Sequence, residues 1–243
     1  MLEVSHVSAG YGGTQVLWQT SIHVGDGEVV ALIGPNGSGK STLMNGISGL
    51  VRIWSGEIMF DGTALHALPA HRRLALGISH VLERHRLFPY MTVLENLQLG
   101  CGPHGSRDQL ERGLDRAYRL FPRLKERQSQ TARLLSGGEQ QMCAIARGLM
   151  SSPKLLLVDE PFIGLSPHMR EEVADVLRAV NADGVAVVLI EQNVEQALAL
   201  SHRAYVLREG TVVLTGDSRQ LKASTAVQDV FLGRLHATAV SAE

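Results

Sequence analysis

Apolar and β-branched residues alternate with polar ones over residues 2–7, 18–24 and 28–33, and glycine-rich breaks at Gly10-Tyr11-Gly12-Gly13 and Gly25-Asp26-Gly27 separate the runs. Period-two alternation with such punctuation predicts strands. The third run passes straight into a glycine loop. From Lys40 to about Gly49 the apolar spacing turns helical, and residues 55–60 and 78–81 return to strand. Helical segments follow at about 92–99 and 107–120, with another after Ser136. The last third alternates apolar runs at 155–159, 185–190 and 203–208 with helical spacing at 168–180 and 193–201, the rhythm of a parallel sheet covered by helices.

Composition narrows this picture. With 243 residues, 44% of them hydrophobic, the chain can bury the core of one domain carrying an inserted lobe. A net charge of −1 and a pI near 6.8 give no bulk attraction to nucleic acid or anionic lipid. The two cysteines, Cys101 and Cys143, supply neither a disulfide framework nor a zinc site, which suits the cytosol. Met1 to His6 lacks the basic start and apolar stretch of a signal peptide, and no apolar run approaches the roughly 20 residues that span a bilayer. Work at a membrane would therefore require another subunit. His66, His71, His80 and His85 lack ligand spacing with a carboxylate or thiol set. Residues 107–133 hold eight basic side chains against four acidic ones, which reads as a solvated helical face; attraction to inner-leaflet lipid or to a membrane subunit is the functional alternative. Residues 236–243 are small and polar and read as a loose tail.

Two segments carry chemistry. Gly34-Pro35-Asn36-Gly37-Ser38-Gly39-Lys40-Ser41-Thr42 fits GxxxxGK[ST], after a predicted strand and opening a predicted helix. Backbone N–H groups converge on phosphate oxygens only where no Cβ intervenes, and the helix adds its positive end. Lys40 would neutralise β- and γ-phosphates, and Ser41 would offer a hydroxyl to Mg²⁺. The second segment, Leu155-Leu156-Leu157-Val158-Asp159-Glu160-Pro161, is a buried strand ending in two acids, a poor structural choice that favours a site. Between them, Leu135-Ser136-Gly137-Gly138-Glu139-Gln140-Gln141 opens a helix with an S-x-x-E capping box. The adjacent glycines Gly137 and Gly138 cost helix propensity of about 1 kcal/mol each, which makes sense where backbone approaches a ligand.

LSGGEQQ together with the phosphate loop and the paired acids resembles the ABC ATPases over nearly the whole chain. The resemblance implies an α/β fold: a phosphate-loop ATPase with a mostly parallel core sheet, an N-terminal antiparallel β subdomain and a helical subdomain inserted at about 84–150 of a domain spanning 1–235. It implies ATP and Mg²⁺ as cofactors, with Asp159 and Ser41 in the Mg²⁺ shell and Glu160 as general base toward the attacking water. Tyr11 matches the aromatic that stacks on adenine. Glu83 falls at the family's Q-loop glutamine, where a carboxylate can meet Mg²⁺ or a water yet repels phosphate. Gln192 falls at the switch histidine; it can hydrogen-bond a γ-phosphate but does not titrate near neutral pH. The loop after Pro161 lacks the aspartate common in the family, so no contact is carried onto it. Ser136, Gly137 and Gly138 would cover nucleotide held by a second subunit, making each chain two half-sites.

Glu191-Gln192-Asn193, the run Glu83-Arg84-His85-Arg86-Leu87-Phe88-Pro89-Tyr90-Met91-Thr92-Val93-Leu94-Glu95-Asn96-Leu97, Phe121-Pro122-Arg123-Leu124 and Val230-Phe231-Leu232-Gly233 resemble the branched-chain amino acid transporter ATPases. Leu82 and Arg84-His85 depart from the proline and Gly-Arg usual there, and similar subunits serve urea and short-amide importers. The resemblance implies a second ATPase subunit (a sister chain or a copy), permease subunits docking near Glu83 to Met91, and a periplasmic or extracellular substrate-binding protein, with the chain on the cytoplasmic face of the inner membrane and no nucleic acid partner. A soluble ABC ATPase acting on DNA or ribosomes usually has two nucleotide domains or a long coiled-coil insertion, neither present here. A phosphate-loop kinase would not need LSGGEQQ.

Overall fold

The computed structural model describes residues 1–83, 87–102 and 105–232, and the backbone of 240–241. Arg84 to Arg86, Gly233 and most of the 236–243 tail lie outside the described residues. In chain order the strands are β1 (Leu2–Tyr11), β2 (Thr14–Val24), β3 (Val29–Ile33), β4 (Ile53–Phe60), β5 (Thr63–Ala64), β6 (Ile78–Val81), β7 (Leu155–Asp159), β8 (Ala186–Ile190), β9 (Arg203–Arg208), β10 (Thr211–Asp217) and β11 (Val240–Ser241). The helices are α1 (Lys40–Ser48), α2 (Ala70–Ala75), α3 (Val93–Leu99), α4 (Arg107–Leu120), α5 (Pro122–Glu126), α6 (Gly137–Leu149), α7 (Pro167–Ala182), α8 (Val194–Leu200), α9 (Ser218–Ala223) and α10 (Ala226–Phe231). They form two compact units, residues 1–73 with 186–243, and residues 74–185.

The first unit contains an antiparallel sheet in the order β2-β1-β4-β5. It also contains a mixed sheet in which β3 lies between β8 and β9, parallel to both, while β10 returns antiparallel beside β9. All five residues of β3 are buried, as a strand covered on both faces demands. Ile33, Leu198, Val206, Leu221 and Val230 join α8, α9 and α10 to the sheet. Burying each such side chain contributes about 1.5–3 kcal/mol. A polar clamp ties β2 to β9: Arg203 Nε donates to Glu28 Oε1 at 2.6 Å, and its Nη2 donates to His23 O at 2.9 Å.

In the second unit β6 and β7 run parallel, Ile78 beside Leu155 through Val81 beside Val158. Helix α6 lies against this pair: a Cβ on Gly148 would come 2.7 Å from Val81 Cγ2 and 3.4 Å from Leu156 Cδ1. The buried Asn96 on α3 fixes the segment before it, its Nδ2 donating to Phe88 O at 3.1 Å and to Thr92 O at 2.9 Å, while Phe88 N donates to its Oδ1 at 2.8 Å. The Thr-Val-x-Glu-Asn-Leu run is thus built from structural parts. Thr92 and Glu95 form a capping box, Asn96 pins the loop, and Leu97 enters the core.

Three local expectations change. The break expected at residues 10–13 shrinks to a two-residue hairpin turn, because Gly10 and Tyr11 pair with Gln15 and Thr14, and Tyr11 is the last strand residue rather than a turn residue. Strand β10 was not expected; Glu209 and Gly210, with φ of 50° and 76°, make a tight turn that sends the chain back along β9. The short helices α2, α5, α9 and α10, of five or six residues each, are too brief to display a helical period.

Candidate functional site

In the first unit the glycine loop leaves the carboxyl end of β3, as the apolar run requires. Adjacent β8 ends at Ile190, opposite Leu32, so Gln192 emerges beside the loop at the same edge of the sheet. Crevices outside the carboxyl ends of parallel strands are where α/β sheets bind ligands. Gly34 is required by close approach: a Cβ there would sit 2.1 Å from Leu207 O. Asn36 and Gly37 are exposed, and a Cβ on Gly37 would meet nothing within 4 Å. Helix α1 starts behind Gly39, which is left-handed and supplies no side-chain cap.

Lys40 is 5% exposed, and its Nζ donates to Gly34 O at 2.8 Å and Pro35 O at 3.0 Å. The loop therefore wraps a buried ammonium. Ser38 is buried beneath it, Thr42 is buried one turn along, and Ser41 faces outward. An uncapped helix start, bare glycine backbone and a buried cation fit a polyphosphate, whose oxygens satisfy orphan N–H groups and offset the lysine charge. Tyr11 is half exposed, and its hydroxyl accepts from Asn45 Nδ2 of α1 at 3.4 Å, so the ring stands beside the phosphate-loop helix. Gln192 is exposed, its N–H donating to Glu191 Oε2 at 3.2 Å.

In the second unit Asp159 ends β7 and is 6% exposed, Glu160 follows it half buried, and Glu83 stands two residues beyond β6, also half buried. Because Val81 pairs with Val158, the three acids gather at one edge of the β6–β7 pair. Glu160 has a φ of 48°, the left-handed region that a non-glycine residue seldom occupies. Among the described residues no group of three or more His, Cys, Asp or Glu side chains could hold a metal ion. A Mg²⁺ ion taking one or two of these carboxylates would complete its shell with phosphate oxygens, a hydroxyl and water, as Mg²⁺ commonly does.

The signature residues lie at the start of α6, and their two glycines differ. A Cβ on Gly138 would come 2.3 Å from Met169 Cε, so helix packing alone calls for that glycine; one on Gly137 would meet nothing within 4 Å. Ser136 and Gly137 are exposed. The capping box is complete: Glu139 N donates to Ser136 Oγ at 3.3 Å, while Ser136 N and Oγ each donate to Glu139 Oε2 at 2.9 Å. Burial raises the Glu139 pKa, but the bonds from Ser136 and the charges of Arg127 and Arg123 outweigh it, leaving the carboxyl below its ordinary value. Arg127 Nε reaches Glu139 Oε1 at 2.9 Å. Sequence reading missed this support, since nothing at residue 127 marks a partner twelve positions away. Burial pushes the Cys143 thiol up to about 12, so it stays protonated and unreactive.

A phosphate-binding loop in one unit, with strand-end acids and a glycine-flanked capped serine in the other, defines a nucleotide-hydrolysing class of protein. The family model described as ABC transporter matches residues 17–163, and the chain belongs to that family. It is similar to the high-affinity branched-chain amino acid transport ATP-binding protein BraG of Pseudomonas aeruginosa, with 44% identity over 96% of this chain and 100% of the relative. The probable branched-chain amino acid transport ATP-binding protein LivF of Archaeoglobus fulgidus is 34% identical over 96% of this chain and 99% of its own length. Among solved structures, the dimeric post-hydrolysis state of the ATP-binding cassette MJ0796 bound to ADP and Pi matches with a TM-score of 0.80 and 26% identity, over 90% of this chain and 99% of that one. The chain is an ATP-binding cassette, an ATP hydrolase working with ATP and Mg²⁺. No helix among the described residues is long and apolar enough to cross a membrane.

Proposed function

We propose that this chain is the ATP-hydrolysing subunit of an importer for branched-chain amino acids, bound to the cytoplasmic face of the inner membrane through its permease. The observation that carries the ATPase part is the loop at 34–39 wrapped around the buried Lys40 ammonium beneath an uncapped helix. The cargo rests on 44% identity to a relative named for that transport.

Backbone N–H groups of Gly34, Asn36, Gly37 and Gly39 cradle the phosphates, with Pro35 and Ser38 shaping the loop through the Ser38 N–H bond to Pro35 O at 3.2 Å and with Lys40 and the Thr42 end of the motif closing around them. Tyr11 stacks on adenine. Ser41 and Asp159 would hold Mg²⁺, and Glu83 would meet it directly or through water. A Mg²⁺ ion held there would supply positive charge to offset the phosphates. Glu160 orients the attacking water and accepts its proton, a role worth about 10²–10⁴-fold in rate. Gln192 donates a hydrogen bond to the γ-phosphate, so this contact does not titrate near neutral pH. Ser136, Gly137 and Gly138 close over nucleotide held by a second cassette. One domain covers 1–235, with the helical segment 84–150 as its inserted lobe.

The exposed aromatics Phe88 and Tyr90, 51% and 83% exposed, support docking of a cytoplasmic permease helix there. Arg147 stands over the Phe88 ring at 5.9 Å and Arg133 over Tyr90 at 5.7 Å. A substrate-binding protein outside the cell delivers the amino acid, and nucleic acid has no part. The test is ATP hydrolysis by the chain reconstituted with its permease and binding protein. Stimulation by leucine, isoleucine or valine is expected; stimulation by urea or short amides instead would replace the cargo, and stimulation by DNA or ribosomes alone would overturn transport.

A further inference from the structure

The carboxyl end of the phosphate-loop helix carries a device that nothing in the sequence motifs announces. Arg73, on α2, is 5% exposed. Its Nη1 donates to Gly46 O at 2.5 Å and to Ile47 O at 2.9 Å, two carbonyls in the last turn of α1, and its Nε donates to Leu68 O at 2.9 Å. Burial lowers the pKa of the guanidinium, but an arginine remains charged across the physiological range. A cation at a helix carboxyl terminus meets the negative end of the dipole and satisfies carbonyls that lack intrahelical partners.

The surroundings are shaped for that side chain. Gly49, the left-handed cap of α1 with a φ of 83°, lies where a Cβ would come 2.8 Å from Arg73 Nε and 3.0 Å from its Cζ. Helix α1 is only nine residues long, so its carboxyl end stands about 13 Å from its start, and a rigid helix this short transmits a shift at one end to the other. Its amino end has no side-chain cap. The Arg73 contacts fix the carboxyl end of the helix, while the loop holds the amino end through Lys40 Nζ and through Ser38 O, which accepts from Gly210 N at 3.0 Å.

We propose that Arg73 is a positioning residue for nucleotide binding: by clamping the last turn of α1 it holds the loop at 34–39 and Lys40 in phosphate-binding register. The inference rests on the reading of that loop as the ATP phosphate site. Because Arg73 acts through α1 and touches no reacting atom, its loss changes affinity for ATP and ADP alike and spares the turnover of the saturated transporter.

The test compares Arg73→Met, Arg73→Lys and Lys40→Ala with the parent chain by titrating fluorescent ADP and ATP, by KM and kcat in the assembled transporter, and by melting temperature. Dissociation constants and KM are read on the folded fraction, so a variant that merely folds less loses amplitude and not affinity. Arg73→Met is expected to weaken both nucleotides about tenfold with kcat unchanged. Arg73→Lys, which keeps the charge but not the fork, is expected to fall between Arg73→Met and the parent. If Arg73→Met does not fold, Arg73→Lys decides. Parent-like affinity in the folded variant, or a loss confined to kcat, overturns the proposal. Lys40→Ala separates the two readings: loss there with none at Arg73 removes the Arg73 proposal alone, whereas parent-like binding by Lys40→Ala removes the loop reading on which it stands.

Discussion

The two glycine-bearing helix starts treat their backbone in opposite ways. At α1 the capping position is a left-handed glycine with no side chain to offer, so no side-chain oxygen caps the first turn. At α6 the capping box is closed, with Ser136 and Glu139 bonded reciprocally and Arg127 held against Glu139. One helix start has no side-chain cap; the other is closed by its own side chains. At α6 the exposed Ser136 hydroxyl donates to Glu139, and Gly137 leaves bare backbone beside it. In the proposed function the first end would suit tight holding of nucleotide and the second reversible covering.

The comparison can be probed at four points, in falling order of effect. Glu160→Gln leaves both helix ends intact, so ATP should still bind and the cassettes should stay closed, while turnover falls about 10²–10⁴-fold in a single-turnover assay. Full hydrolysis by that variant would remove Glu160 from its role. Lys40→Ala removes the cation from the open end, and titration with fluorescent ATP should give an affinity weaker by about a hundredfold, near 3 kcal/mol. Equal loss from Ser136→Ala would erase the distinction between the two ends.

Glu139→Ala opens the closed end. It should cost about 1–2 kcal/mol of stability in denaturant melts and disturb binding less than Lys40→Ala does. Since the folded Glu139 pKa is below its unfolded value, the contribution is present above the ordinary carboxylate range and is lost as pH falls through the lowered value. Melts at neutral and acid pH should therefore converge for parent and variant at the acid end. Tyr11→Ala should weaken nucleotide by about 1 kcal/mol, and Tyr11→Phe by less, because the hydroxyl makes only the 3.4 Å contact with Asn45.

Much of this was legible along the chain. A five-residue apolar strand followed by Gly34 to Thr42 left little choice of fold, since such a strand must be buried on both faces and such a loop must open a helix. The Ser136–Glu139 capping box was readable because its partners are three residues apart and bond within one turn. Strand β10 escaped because its only local signal was Glu209-Gly210, a weak version of a hairpin turn. The different reasons for Gly137 and Gly138 could not be separated either, because Met169, which excludes a Cβ from one and not the other, belongs to a later helix. Arg73 and Arg127 carried no signal for the same reason: each acts on a turn far away in sequence, and one basic residue among many looks like any other.

The central claim is that each chain supplies two half-sites, with Ser136, Gly137 and Gly138 covering nucleotide held by a partner. The most direct measurement uses an assembled transporter in which one cassette alone carries Lys40→Ala, exposed to ATP with a photoreactive group on its γ-phosphate. Label should appear at residues 136–138 of that same cassette, because the nucleotide it covers sits on the partner's phosphate loop. Loss of label from the cassette that lacks its own Lys40, with labelling retained on the partner, would contradict the account.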